Sequence, residues 1–492
     1  MMDDKDFSLQ QEDKEKIETS VKLHTPLEIT SYTLPKNMEV YIQEVLSEFL
    51  LQCHQDHMIE YLKFCVGELL TNAKKANTKR VYFKEKNLDI NKELDYNEGM
   101  VFFKEETLNN IDHYLEEQKK AGLYVKLVLQ VDENFVKIEI RNNAVLTRFE
   151  NQRIIEKISI AQQYDSIEDV FTKVLDQTEG AGLGIIIIIL MLQKIGLSKQ
   201  NYKVFTTDKE TVTRIELPLN EKISENLDFL AEDFARTQTT VPVIKKKLCE
   251  LNKLLNAPDI SISELLDFFS KDVTLCFLLL KDAIAAKKHC CSLLDAIDYH
   301  GIKNLKNIFT ESNPQIRLIN GPNPENDWWE HSSRVAFYAY NLAKNFPPKN
   351  AITPDLIFVY AMMHDIECVF LSVITDVQRN KINEDSHVNA ISDVALEMFY
   401  NERCHCKAGS LLAASWGFSE CVTEIIRYHN APERISEAYK DIINYVYLAD
   451  IVQYYIERKV EYYQLNQNVL HYFGIDSEGK LDYIVKQIQS VY

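Results

Sequence analysis

The sequence lacks a surplus of basic charge. Its 74 acidic residues outnumber 55 basic ones, for a formal net charge of -19. That argues against broad binding to nucleic acid or to anionic membrane. It also lacks a long hydrophobic run. The longest wholly apolar stretch, Ile185 to Leu192, is far too short to cross a bilayer. The N-terminus, Met1-Met2-Asp3-Asp4-Lys5-Asp6, is acidic and has no signal-peptide core. The ten cysteines are scattered and form no Cys-x-x-Cys pair that would complete a zinc knuckle with Cys404-His405-Cys406. A reducing, cytoplasmic setting is the simplest expectation. What remains is an ordinary globular composition, 46% hydrophobic and 26% charged, over 492 residues. That length suits about two to four domains.

The chain divides by pattern. Residues 1–19 are a polar, acidic tail. Residues 20–219 mix helix and strand. Residues 220–240 form a polar, acidic connector in which Ala231 to Arg236 reads as helical and which ends in Thr237-Gln238-Thr239-Thr240. Residues 241–492 read as helix throughout, without strand alternation. The expected fold class is therefore multidomain α+β: an N-terminal α/β sandwich, a mixed sheet backed by helices, then an all-α domain.

Helical spacing runs from about Met58 to Asn77, through Leu62, Cys65, Val66, Leu69, Leu70 and Ala73. Glu68 and Asn72 lie four apart on this helix, on one face. Such a pair can hold a hydrated magnesium ion and orient a water, or can be a solvated polar face. Tyr124 to Val131 and Phe135 to Ile140 alternate around Asp132-Glu133-Asn134, the pattern of a hairpin. Gly180-Ala181-Gly182-Leu183-Gly184 then opens a helix, a loop type whose backbone N–H groups can approach phosphate.

In this order, residues 35–218 resemble the histidine-kinase-like ATPase superfamily. Glu68-Leu69-Leu70-Thr71-Asn72-Ala73 is similar to that family's first conserved box. The resemblance implies Glu68 as general base and Asn72 as magnesium ligand, with ATP and Mg2+ as cofactors. Gly180, Gly182, Leu183 and Gly184 would hinge an ATP lid formed by residues 149–177. Asn142 falls where the family reads adenine, but Asn142-Asn143-Ala144-Val145-Leu146 departs from its Asp-x-Gly-x-Gly. Too little chain precedes Glu68 for the dimerising hairpin of a sensor kinase.

The helical half centres on His364-Asp365, at the end of the apolar stretch Ile357 to Met363. Thr353-Pro354-Asp355 supplies a hydroxyl N-cap, a proline at the first helical position and an acid in the first turn. A buried imidazole and carboxylate are costly unless paired or metal-bound. His331, His405, His429 and Asp450 each fall on another predicted helix, on its apolar side. Together the six point to one pocket holding one or two divalent ions. A core histidine bonded to a carbonyl is the ordinary alternative for any one of them.

This half resembles the HDOD branch of the HD phosphohydrolase superfamily over about Val241 to Tyr455. The motifs are Val241-Pro242-Val243-Ile244, His405-Cys406-Lys407-Ala408-Gly409, Trp416-Gly417 and Tyr428-His429-Asn430. The resemblance implies a signalling domain, although here the metal ligands of the wider superfamily are retained. His364, Asp365, His331 and Asp450 would form a primary site. His405 and His429 would complete a second or hold phosphate. Asp365 would take part in catalysis, and Lys407 could neutralise a phosphate. No Gly-Tyr-Pro follows, which argues against cyclic-di-GMP hydrolysis. The expected function is a cytoplasmic signalling protein, in which an ATP-binding domain biases a helical output domain that engages a protein partner. The alternatives are a metal-dependent phosphohydrolase acting on a nucleotide or phosphoester, and a protein kinase of the anti-sigma type. Neither substrate nor oligomeric state can be read from the sequence.

Overall fold

The computed structural model describes residues 9–132, 135–161, 184–194, 196–218, 221–287, 291–321, 328–348, 352–389, 391–400 and 405–489. The chain forms two compact units, Met1–Leu219 and Asn220–Tyr492. Among the described residues no single helix is long and apolar enough to cross a membrane.

The first unit is built on a five-stranded sheet in the order β1-β2-β3-β5-β4. Its strands are β1 Leu27–Ser31, β2 Val125–Val131, β3 Phe135–Asn142, β4 Tyr202–Thr206 and β5 Thr211–Pro218. Every neighbouring pair is antiparallel. The expected mixed sheet is thus corrected. The reason is connectivity, because β2–β3 and β4–β5 are hairpins, and short turns can join only antiparallel strands. At the first turn the Asp132 carboxylate accepts the Phe135 N–H at 2.9 Å. Alternation then places Val125, Leu127, Leu129 and Val131 of β2 on the buried face. They join one core with Leu62, Cys65, Val66, Leu69 and Leu70 of helix Ile59–Glu85, and with Ile186, Ile189 and Leu190 of helix Gly184–Lys194.

Helices Glu93–Asn109 and Ile111–Lys120 add a smaller aromatic cluster of Tyr82, Phe83, Tyr96, Phe103 and Tyr114. The hydrophobic spacing of the first of these helices is weak. Beside them, buried Glu150 pairs with Arg80 at 2.6 Å and Lys79 at 3.2 Å. Burial alone would raise its carboxyl pKa, but the two cations hold it down to about 2.

The second unit is helical with one exception. Strands β6 Val241–Ile244 and β7 Ile316–Ile319 pair in parallel, with Val241 opposite Ile316. The all-α expectation is corrected to that extent. Four residues are too few to display alternation, and Val241 and Val243 are wholly buried. The polar stretch 220–240 contains helix Glu221–Thr237. That helix buries Leu230, Ala231 and Phe234, and Phe234 meets Phe399 with ring centroids 5.7 Å apart. The Trp416 indole N–H donates to the Gln238 carbonyl at 3.0 Å.

Candidate metal centre

Helix Pro354–Met363 begins as its sequence dictates, with the Leu356 N–H donating to Thr353 Oγ1 at 3.3 Å and proline at the first helical position. It ends at His364, the C-cap. There the helix leaves backbone carbonyls without partners of their own. His364 Nδ1 donates to the Ala361 carbonyl at 2.7 Å, beside a longer bond from the His364 backbone N–H at 3.5 Å. The same device recurs at the end of helix Glu420–Tyr428, where C-cap His429 donates from Nδ1 to the Ile426 carbonyl at 2.8 Å. Each ring thereby commits Nδ1 to a carbonyl and turns Nε2 inward, the orientation a metal-ligating histidine needs.

Asp365 is the N-cap of helix Ile366–Ser372, yet its side chain makes no capping bond. It lies between two groups of imidazoles. Oδ2 is 3.2 Å from His331 Nε2 and 3.3 Å from His364 Nε2. Oδ1 is 3.2 Å from His429 Nε2 and 3.6 Å from His405 Nε2. Asp450, from the middle of helix Lys440–Ile456, places Oδ1 3.4 Å from His331 Nε2 and 3.6 Å from His364 Nε2. The two imidazole nitrogens are themselves 3.2 Å apart. All six residues are buried.

The fit to metal can be tested on these numbers. Donors bound to one ion at about 2.0–2.2 Å stand about 3.0 Å apart in an octahedron and about 3.4 Å apart in a tetrahedron. The spacings above, 3.2–3.6 Å, overlap the upper part of that range and run about 0.2 Å past it. Asp365 Oδ1 and Asp450 Oδ1 are buried and make no hydrogen bond. Carboxylate oxygens without a hydrogen bond, set against imidazole nitrogens, are costly in a core unless positive charge completes them, from a bound cation or from protons on the rings. The titration behaviour points the same way. Burial pulls the His364 pKa down, but Asp365 and Asp450 outweigh it and hold the ring at about 9. Burial opposes charge on Asp365 also, yet His364 and the other rings hold its carboxyl well below the usual range. The pocket favours positive charge, and the described donors suit two divalent ions.

The structure therefore brings together all six predicted ligands. His331, His364, Asp365 and Asp450 form one group, and Asp365, His405 and His429 another. Lys407 stands differently, because its ammonium pairs with Asp228 on helix Glu221–Thr237. Two neighbours of the cluster were not among the predicted ligands, and Cys406 was weighed only within a Cys404-His405-Cys406 zinc knuckle. Cys406 Sγ is 3.3 Å from His405 Nε2, and the Asn430 amide N is 3.1 Å from the same nitrogen. Each follows a predicted histidine directly in the sequence, and that adjacency was the available signal.

In the first unit, Glu68 and Asn72 lie beside Gly184, where an added Cβ would meet Glu68 Oε2 at 2.6 Å and Asn72 Nδ2 at 4.0 Å. Asn142 is buried, and its amide donates to Asn77 Oδ1 at 3.3 Å and to the Ala144 carbonyl at 3.4 Å. Gly180, Gly182, Leu183 and residues 162–177 of the expected lid lie outside the described residues.

Comparison with known proteins places the second unit. The family model for the HDOD domain matches residues 241–432. A protein of Treponema pallidum (strain Nichols), described as an uncharacterized protein, is 34% identical over 483 residues, covering 97% of this chain and 94% of its own. Among solved structures, a virulence factor of Campylobacter jejuni is 16% identical, with a TM-score of 0.40, over 53% of this chain and 96% of its own. An HDOD domain protein of Geobacter sulfurreducens is 21% identical, with a TM-score of 0.28, over 54% of this chain and 94% of its own. A putative phosphohydrolase of Shewanella amazonensis is 17% identical, with a TM-score of 0.26, over 55% of this chain and 94% of its own. The chain belongs to the family of the Treponema pallidum protein and carries an HDOD domain at residues 241–432.

Proposed function

We propose that the HDOD unit is a metal-dependent phosphohydrolase centre acting on a nucleotide or other phosphoester. One observation carries this reading: the Asp365 carboxylate directs one oxygen at His331 and His364 and the other at His405 and His429. Divalent ions bound there would polarise a phosphoryl oxygen and lower the pKa of a water. The chain's own part is to position. Two helix ends lock His364 and His429 through the Ala361 and Ile426 carbonyls. Asp365 is shared between the two groups and supplies negative charge to both. Asn430, 3.1 Å from His405, is a polar donor at the edge of the cluster able to meet a phosphate oxygen. The test is hydrolysis of bis-p-nitrophenyl phosphate and p-nitrophenyl phosphate by protein loaded with Mn2+ or Zn2+. Turnover that Asp365→Asn abolishes supports the proposal. A metal-loaded protein that cleaves neither these esters nor a panel of nucleotides counts against it.

A second reading concerns the first unit, and the placement of Gly184 beside Glu68 and Asn72 favours it. In this reading that unit binds ATP with Mg2+, with Glu68 as base and Asn72 as magnesium ligand, and it regulates the HDOD unit as part of a signalling protein. Calorimetric titration of the full chain with ATP and Mg2+ tests it. No heat at millimolar ATP removes it and leaves the metal centre untouched.

A further inference from the structure

We propose that Cys406 is a thiolate ligand of the ion held by His405 and His429, so that this position takes a thiophilic divalent ion such as zinc. The His331–His364–Asp450 position, which offers only nitrogen and oxygen, takes a harder ion. The inference rests on the reading of the cluster as a metal centre and adds what kind of metal each half selects.

Three donors converge. Cys406 Sγ lies 3.3 Å from His405 Nε2 and 3.9 Å from His429 Nε2, and the two nitrogens are 3.3 Å apart. Around one zinc ion, with bonds of about 2.0–2.1 Å to nitrogen and about 2.3 Å to sulfur, a tetrahedral face has edges of about 3.4 Å between nitrogens and about 3.6 Å from nitrogen to sulfur. The observed triangle matches that face within a few tenths of an ångström. Asp365 gives an independent observation. Its Oδ1, buried and without a hydrogen bond, stands 3.2 Å from His429 Nε2 and 3.6 Å from His405 Nε2, facing the same two nitrogens. His429 Nδ1 is taken by the Ile426 carbonyl, so Nε2 is the ring nitrogen that faces Cys406 and Asp365. The sulfur also receives the Asn430 amide N–H at 3.6 Å, a contact that favours the anionic form.

Binding breaks the S–H bond, forms an S–metal bond and sends the proton to solvent. Thiolate and imidazole together select zinc over magnesium or manganese, which prefer oxygen. This sorting gives the two halves different ions on one shared carboxylate.

The experiment loads the full chain with Co2+ and records its electronic spectrum. The expected result is a near-ultraviolet thiolate-to-cobalt charge-transfer band that disappears in Cys406→Ser while cobalt stays bound at the other position. Zinc X-ray absorption of the unaltered protein provides a readout that needs no variant, and a sulfur shell at about 2.3 Å is expected. Bound cobalt without the band, a band that survives Cys406→Ser, or a zinc shell of nitrogen and oxygen alone would each overturn the role of Cys406. All three leave the metal centre standing. A protein that binds no Co2+ at all overturns both.

Discussion

Replacing Asp365 by asparagine changes one atom in size and one unit of charge, at the point where both halves of the cluster meet. The carboxylate lies 3.2–3.6 Å from four imidazole nitrogens. Removing a group that merely orients a metal ligand costs about 10–100-fold in affinity. Losing the shared ligand itself should then cost each ion at least about 100-fold, or about 2.7 kcal/mol. The loss appears as stability. At a free metal concentration about 1,000 times Kd, binding stabilises the folded state by about 4.1 kcal/mol for one site. A 100-fold weaker site at that concentration retains about 1.4 kcal/mol. Urea unfolding with buffered free Zn2+ or Mn2+ measures that increment against chelator-treated protein. The asparagine amide keeps the shape of the side chain and can donate to an imidazole lone pair, so the metal-free variant should fold. If it gains as much stability from metal as the unaltered protein does, Asp365 is not a ligand and the reasoning fails.

Two further outcomes follow from the first unit. Glu150→Gln should destabilise the chain at pH 7 by on the order of 3 kcal/mol, because the carboxyl falls from an ordinary 4.5 to about 2 beside Arg80 and Lys79. A depressed carboxyl stabilises the fold above its unfolded pKa, and that contribution fades as pH falls from about 4.5 toward 2. The gap between variant and unaltered protein should therefore narrow through that window, and urea titrations showing a constant gap from pH 7 to 3.5 would contradict the ion pair. Glu68→Ala should leave any ATP binding unchanged and abolish any hydrolysis, since a general base acts in the transition state. Equal loss of both in calorimetry and phosphate release would assign Glu68 to binding instead.

The convergence of the six candidate ligands was legible because burying an unpaired imidazole or carboxylate is so costly. His364 and His429 close apolar helices, and Asp450 continues the inward face set by Ile443 and Val446. Helix periodicity alone aims them at the core. What it does not give is ring orientation, which came from the Ala361 and Ile426 carbonyls at the helix ends. Cys406 was set aside with the zinc knuckle for a related reason. A zinc motif is sought by spacing along the chain, whereas this sulfur meets His429, 23 residues away, through the packing of two helices. Lys407, one position further on, instead lies against Asp228. Strand β6 was obscured by length, since four residues carry no period, and the helix Glu221–Thr237 was legible only over Ala231 to Arg236, because Leu230, Ala231 and Phe234 are few apolar positions in an acidic stretch.

The measurement closest to the central claim is the metal content of the purified full chain, with His364→Ala/Asp365→Ala beside it. One to two equivalents of divalent metal per chain are expected, removable by chelator and recovered on readdition. Little or none is expected in the double variant, with the first unit still folded. A folded chain that takes up no zinc, manganese or iron at concentrations that saturate ordinary protein sites would contradict that claim.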